Sequence, residues 1–335
     1  MMIGISLKAV ATAFPETVQP NDFFGMEGSR PQGGMFRGSE YRHHMDPGQS
    51  AVDLICEATQ KIQEQVGGDL ASEIDIILTN VSLPDLPFTG CGAEVAKELG
   101  AKPMWVYDLH SQGCVSFISM MSLAQSLMTT SSARKALICN VQTTAGRIFS
   151  DEQIRKLPQS AVPGDGCGVA LLEVGDERPV EHIVTQCFSE NASDMEIATQ
   201  DGRDWWLPGK TQFFVNFSRE KVAAVVARGN RLVPEVVHQA CTEAGIGTDQ
   251  IGTLITNQPN QIFLRNWREA LQVSESQHVD TFSEHGNLFG AGMPVCIERA
   301  EQEGKLKGDS YLVLGGFSHA GDYAAAAIIR CKAAA

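Results

Sequence analysis

The stretch DLHSQGCVSFISMMSLAQSLM, residues 108 to 128, places Gly113 and Cys114 directly ahead of a long apolar run with helical spacing. A cysteine at a helix N-terminus faces unpaired N–H groups and partial positive charge, which favour a thiolate and any oxyanion formed beside it. Cys114 therefore reads as a nucleophile. The alternative is a buried thiol, because the chain carries nine cysteines and several, as in KALICNV, lie in apolar runs where a thiol acts as a small hydrophobe. No CxxC pair or Cys/His cluster at zinc spacing occurs, so no metal site is expected. His43 and His44 form a pair in a polar stretch and read as surface groups. GDGCG (164–168) lacks the lysine and following helix of a phosphate loop and reads as a tight turn before a strand.

The elements that must position Cys114 alternate along the chain. IDIILTN (74–80), MWVYDL (104–109), KALICNV (135–141) and GVALLEV (168–174) read as strands, and GCGAEVAKELGA (90–101) and the run after Cys114 as helices. This alternation predicts an α/β fold with buried sheets. The order then recurs. ILTN at 77–80 returns as LITN at 254–257, KALICN at 135–140 in type as SYLVLG at 310–315, and Gly113 as Gly286 in HGNLFGAGMPVCIERA. The near-constant offset suggests a duplicated fold divided near VGDERPVEH, into halves 1–178 and 179–335. Packed around a pseudo-twofold axis, such halves bring together the helices that begin near Cys114 and Asn287.

Hydrophobic residues make up 43% of the 335 positions and charged residues 20%, which is ordinary for a globular enzyme, and the net charge of −14 argues against nucleic acid or an anionic membrane as partner. The N-terminal stretch MMIGISLKAVATAFPETV lacks a positive charge before its apolar part and reads as a first strand rather than a signal peptide. No run approaches membrane-helix length. Scattered cysteines suit a reducing cytoplasm.

These motifs, in this order, resemble the type III β-ketoacyl-[acyl-carrier-protein] synthases and related acyltransferases of the thiolase fold. AVATAFPE is similar to the family's opening strand, RGSEYRHHMDPGQSAVDL to the segment before its first long helix, and DLHSQGCVSF to its nucleophile elbow. PGDGCGVALLEV, GNLFGAGMP and LGGFSHAGDYAAAAIIR resemble its Gly-Asp-Gly turn, asparagine turn and C-terminal Gly-rich loop. The resemblance implies a duplicated, five-layer αβαβα architecture. It also implies covalent acyl transfer: an acyl group arrives as a thioester of coenzyme A or acyl carrier protein, is held on Cys114, and passes to a small acceptor by carbon–carbon condensation or ester or amide formation. The backbone N–H groups of Cys114 and His319 would form the oxyanion hole. No permanently bound cofactor is implied, and a homodimer is.

The chain departs from the family at LITNQPNQIF, where Asn257 stands in the position of the family's histidine. Asn287 keeps the second position, so the set reads Cys114, Asn257, Asn287. An amide donates a hydrogen bond but cannot take up and return a proton near neutral pH. His285 and His319 are both expected close to the pocket, as candidates to compensate. The early loop, NDFFGMEGSRPQGGMFRG, has no tryptophan, leaving Arg37 and Arg42 as phosphate contacts. DWWLPGKTQFFVNF, with Trp205 and Phe213, reads either as packing or as one wall of an acyl pocket. Phe88 takes the position from which a dimer partner enters the neighbouring pocket. The expected function is acyl transfer in fatty-acid-like or specialised metabolism. The alternatives are a non-catalytic synthase-like subunit of a heterodimer and an acyl-thioester hydrolase.

Overall fold

The computed structural model describes residues 3–25, 39–216, 219–306 and 308–332. In the first half, strand β1 (Ile5–Ala13) leads through the short pair β2 (Val18–Pro20) and β3 (Tyr41–His43) to helix α1 (Ala51–Val66) and the single turn α2 (Leu70–Glu73). Then follow β4 (Ile76–Val81), α3 (Gly92–Leu99), β5 (Trp105–Asp108), α4 (Ser116–Thr129), β6 (Lys135–Gln142) and β7 (Gly166–Val174). The second half runs β8 (Val180–Cys187), a hairpin of β9 (Glu196–Thr199) and β10 (Phe213–Asn216), and α5 (Arg219–Ala244). It ends with β11 (Ile251–Thr256), α6 (Gln261–Ala270), the turn α7 (Phe282–His285), α8 (Gly292–Gln302), β12 (Ser310–Ser318) and β13 (Tyr323–Cys331).

The first sheet has the order β1-β7-β6-β4-β5, and the second β11-β12-β13-β8. The directions repeat as well. β7 runs antiparallel to its neighbours β1 and β6, and β6 and β4 are parallel, as β13 runs antiparallel to its neighbours β8 and β12, and β12 and β11 are parallel. Even the pairing of β4 with β5 has a vestige, a single parallel bridge between Leu254 and His278. The sheets divide between Val174 and Val180.

Strand alternation sends successive side chains to opposite layers. Ile76 and Leu78 enter the core shared with α4 and α8, whereas Ile77 packs with Leu54, Ile55, Ala58 and Ile62 of α1. In the second sheet Leu312 and Leu314 join the shared core, and Val313 faces Val233 and Val237 of α5. The result is five layers: α1 with α3, the first sheet, α4 with α8, the second sheet, and α5 with α6. Sandwiched between sheets, α4 is buried nearly all round, through Phe117, Ile118, Met120, Met121, Ala124 and Met128. α1 covers only one face and starts with a capping box between Ser50 and Asp53.

The Gly-Asp-Gly turn ties the halves together. Asp165 is fully buried, and its carboxylate accepts the backbone N–H groups of Ala145 at Oδ1 and of Met45 and Gly146 at Oδ2, each at 2.7 Å. Burial pushes the carboxyl up to about 7 against the pull of these donors. One residue earlier, the N–H of Gly164 donates to the carbonyl of Asn287, whose own N–H donates to Val162. Asp165→Asn would turn an NH2 group onto two N–H donors or leave them unpaired. It is expected to cost about 3 kcal/mol, read as a lower midpoint in urea unfolding with an unchanged slope.

Candidate active site

Cys114 lies in a 3-10 turn, Gly113–Val115, that feeds directly into α4 in the middle layer. Gln112 just before it takes a left-handed φ of 72°, a strained conformation for a non-glycine residue that turns the sulfur towards the gap between the halves. A polar network beneath the turn fixes it. Asn80, at the end of β4, donates to the carbonyl of Leu109 (2.8 Å) and accepts from Ser116 Oγ (3.1 Å), which accepts from Asn140 (2.7 Å). Gly290 closes against this network: a Cβ there would come within 2.4 Å of Ser116 Oγ and 2.9 Å of the Gly113 carbonyl.

Asn257 follows the last residue of β11 and is buried. Its Oδ1 accepts the backbone N–H of Phe317 at 3.2 Å, so its NH2 group is the part turned to the Cys114 sulfur, where it favours the thiolate. Asn287 is oriented in the same way: its Oδ1 accepts the N–H of Phe289 at 3.0 Å, leaving the NH2 group for the cavity it lines. Two amides, each with its oxygen occupied by backbone, thus offer only donors to the site.

Burial works against the helix-terminus expectation of an acidic thiol. Burial pushes Cys114 up to about 12, the Asn257 amide pulls the other way, and the Asp322 carboxylate adds to the rise. Asn287 makes a β-bridge with Pro163 and stands just before the 3-10 turn Phe289–Ala291, which feeds directly into α8 as the Cys114 turn feeds α4.

Cys114, Asn257, Asn287 and His319 line one cavity of about 300 Å³. Its wall is largely apolar, with Ile148 and Phe149 on one side and Phe213, Phe214 and Val215 of the β10 strand on another. His110, exposed at the rim, connects it to solvent. The aromatic stretch therefore splits: Phe213 is wall, whereas Trp205 and Trp206 are more than half exposed and off the lining, with Trp205 5.9 Å from the Phe213 ring.

His285 is not brought to the cavity. It stacks on Phe14 (4.4 Å between ring centroids) beside His43, and burial lowers it to about 4, which makes it a neutral packing group. His44, expected at the surface, is buried edge-on to Phe23 and Phe24, and burial also lowers it to about 4. Arg42 is not a phosphate contact. It is fully buried and donates to Ser39, Asn21 and backbone carbonyls. Arg37 lies outside the described residues. Phe88 is 99% exposed and does not line this chain's cavity.

Sequence reasoning missed Asn80, His110 and Asp322. Asn80 was findable, since the repeat offset that links ILTN to LITN maps Asn257 onto it. Asp322 follows His319 by three residues, and its carboxylate receives His319 Nδ1 at 2.9 Å.

Two family models match the chain: 3-oxoacyl-[acyl-carrier-protein] synthase III over residues 107–191, and its C-terminal region over 241–331. Together they span just over half of it. A β-ketoacyl-[acyl-carrier-protein] synthase III of Nostoc sp. is 24% identical over 324 residues, 94% of each chain. The crystal structure of 3-oxoacyl-[acyl-carrier-protein] synthase III from Aquifex aeolicus superposes with a TM-score of 0.83 at 17% identity, covering 98% of this chain and 100% of that one. A tetronic acid condensing enzyme superposes at 0.81 and 20% identity, covering 97% and 99%. With the thiolase-like fold and both family regions in place, the chain belongs to the type III 3-oxoacyl-[acyl-carrier-protein] synthase family of acyl-transferring enzymes.

Proposed function

We propose that the protein takes an acyl group from a thioester of coenzyme A or acyl carrier protein onto Cys114 and passes it to a small acceptor. The observation that carries this reading is the convergence of Cys114 with the donor-only amides of Asn257 and Asn287 at an apolar cavity. When sulfur attacks the thioester carbonyl, negative charge grows on oxygen. Preorganised N–H donors in a water-poor site stabilise that charge more than they stabilise the neutral ground state. The backbone N–H groups of Cys114 and His319 would supply the oxyanion hole, and the Asn257 NH2 group would favour the thiolate before attack and as leaving group.

The apolar wall suits a hydrocarbon or aromatic acyl chain. The thioester donor enters as substrate, and no resident cofactor is needed for the transfer. Retention of Cys114 and Asn287 supports an enzyme rather than a supporting subunit. Asn257, in place of the histidine that the family resemblance sets there, favours a specialised acyl transfer over housekeeping chain initiation. The nine free thiols suit a reducing cytoplasm. A homodimer fits the edge strand β5, which exposes Tyr107 and follows the exposed Met104, and the fully exposed Phe88.

Incubation with a panel of acyl-coenzyme A thioesters is expected to add one acyl mass to the intact protein, and Cys114→Ala to abolish the adduct. No adduct with any coenzyme A or carrier-protein donor would sink the reading. Release of free acid at the rate of adduct turnover, without any acceptor, would mark a hydrolase instead. Asn257→Asp keeps the acceptor for the Phe317 N–H but turns a carboxylate onto the sulfur. It is expected to slow adduct formation at pH 7 by about tenfold or more, measured by quenched-flow mass spectrometry.

A further inference from the structure

We propose that Asp322 holds the His319 side chain as the base that takes the proton first from Cys114 and then from the acceptor, which makes the acceptor a hydroxyl or an amine. The inference rests on the acyl-transfer reading above and deepens it. His319 Nδ1 lies 2.9 Å from Asp322 Oδ2 and 3.1 Å from Oδ1, so Nδ1 carries the proton and donates it to the carboxylate. Nε2 is thereby left as the acceptor. It faces the nucleophile turn: a Cβ on Gly113, the residue before Cys114, would sit 3.0 Å from it.

The site needs such a group. The resting thiol is held well above neutral by burial, and the two asparagines offer donors but no base. Among the cavity-lining residues only His110 and His319 are histidines, and His110 stands exposed at the rim. The backbone is committed to placing His319 where it is. Its φ is 50°, in the left-handed region, and the loop is tied down by Arg228 donating to the Ala320 carbonyl, Gly321 N–H to Ser318, and Phe188 N–H to the Asp322 carbonyl. The other charged or titratable groups that face His319 are Asp322, Cys114, His110, Arg228 through the loop, and Tyr323, whose ring centroid is 6.3 Å away.

The proton accounting closes. Nε2 takes the proton of the Cys114 thiol as sulfur attacks the donor thioester. The tetrahedral adduct collapses, the donor C–S bond breaks, and the departing thiolate takes the proton back from the imidazolium. In the second half Nε2 takes the proton of an acceptor O–H or N–H as that atom attacks the acyl-cysteine. The Cys114 thiolate leaves and is reprotonated by the same imidazolium. A carboxylate-bearing extender unit fits less well. No lysine or arginine is among the cavity-lining residues, and the Asp322 carboxylate stands behind His319.

The test reads the pH dependence of Cys114 alkylation by iodoacetamide, followed by peptide mapping, in wild type, His319→Asn and Asp322→Asn. Asparagine is chosen at 319 because it tolerates the left-handed backbone. Wild type is expected to react at neutral pH, about tenfold or more faster than His319→Asn, whose reactivity rises only at alkaline pH. Asp322→Asn is expected to fall between them. Superimposable profiles for all three proteins would overturn the dyad, and a shift in His319→Asn alone would overturn the role of Asp322. Protein preacylated from an acyl-coenzyme A is then offered benzyl alcohol, benzylamine or malonyl-coenzyme A. Transfer to the first two, slowed in His319→Asn, supports the acceptor class, whereas faster turnover with malonyl-coenzyme A and release of carbon dioxide overturns it. Failure to acylate at all counts against the acyl-transfer reading alone, because the alkylation profile needs no acyl donor.

Discussion

Burial between two sheets raises the pKa of a thiol, and this constraint shapes everything around Cys114. Moving the sulfur to the middle layer gives it a dry, preorganised environment, in which each correctly aimed N–H group is worth far more than in water. The same burial penalises the thiolate and lifts the thiol to about 12. The Asn257 amide pulls the other way, and the oxygens of Asn257 and Asn287 are capped by the N–H groups of Phe317 and Phe289 so that both amides offer donors to the cavity.

Duplication explains how so many polar groups meet in an apolar interior. Asn80 and Asn257 occupy equivalent places at the C-terminal ends of the two parallel strands that lead to the cavity, yet they do different work. Asn80 turns back to pin Leu109 and Ser116 and so sets the nucleophile turn, whereas Asn257 looks across at the sulfur. The loop after β12 carries His319 to the turn before α4, and the Gly-Asp-Gly turn of the first half holds the Asn287 backbone of the second. Each half thus supplies what the other lacks. Loss of the Asp165 contacts would therefore loosen Asn287 at a distance from the chemistry.

The architecture was legible in the sequence because buried strands betray themselves. IDIILTN, KALICNV and GVALLEV each became β-structure within one or two residues of the expected span. Cys114 was legible for a related reason, since a small turn before an apolar helix has few other uses. What failed was any inference from residue type to environment. His44 and Arg42 lie in a polar stretch, yet both are buried, because local composition does not say which layer a loop crosses. His285 precedes Asn287 by two residues but turns behind it onto Phe14. For the thiol itself, sequence reveals the helix start but not the desolvation that acts against it. The His319–Asp322 pair was invisible for the opposite reason, because two polar residues in a glycine-rich loop look like solvent-exposed turn chemistry until the loop is folded over Gly113.

A thiol that is neutral at rest has a functional consequence. A preformed thiolate is open to oxidation and to adventitious electrophiles, and its intrinsic nucleophilicity falls as its pKa falls. A high-pKa sulfur deprotonated only as it attacks is the stronger nucleophile once its proton has somewhere to go. The demand then shifts to whatever receives that proton, which must be near, correctly tautomeric and able to return it to the leaving group. Asparagine at position 257 is near the sulfur but can neither take up the proton nor return it, however well it stabilises charge. An imidazole with one nitrogen fixed by a carboxylate and the other turned to the nucleophile turn meets all three. With an amide at the end of β11, the proposed dyad assigns proton transfer to the loop after β12, which carries His319 to the nucleophile turn.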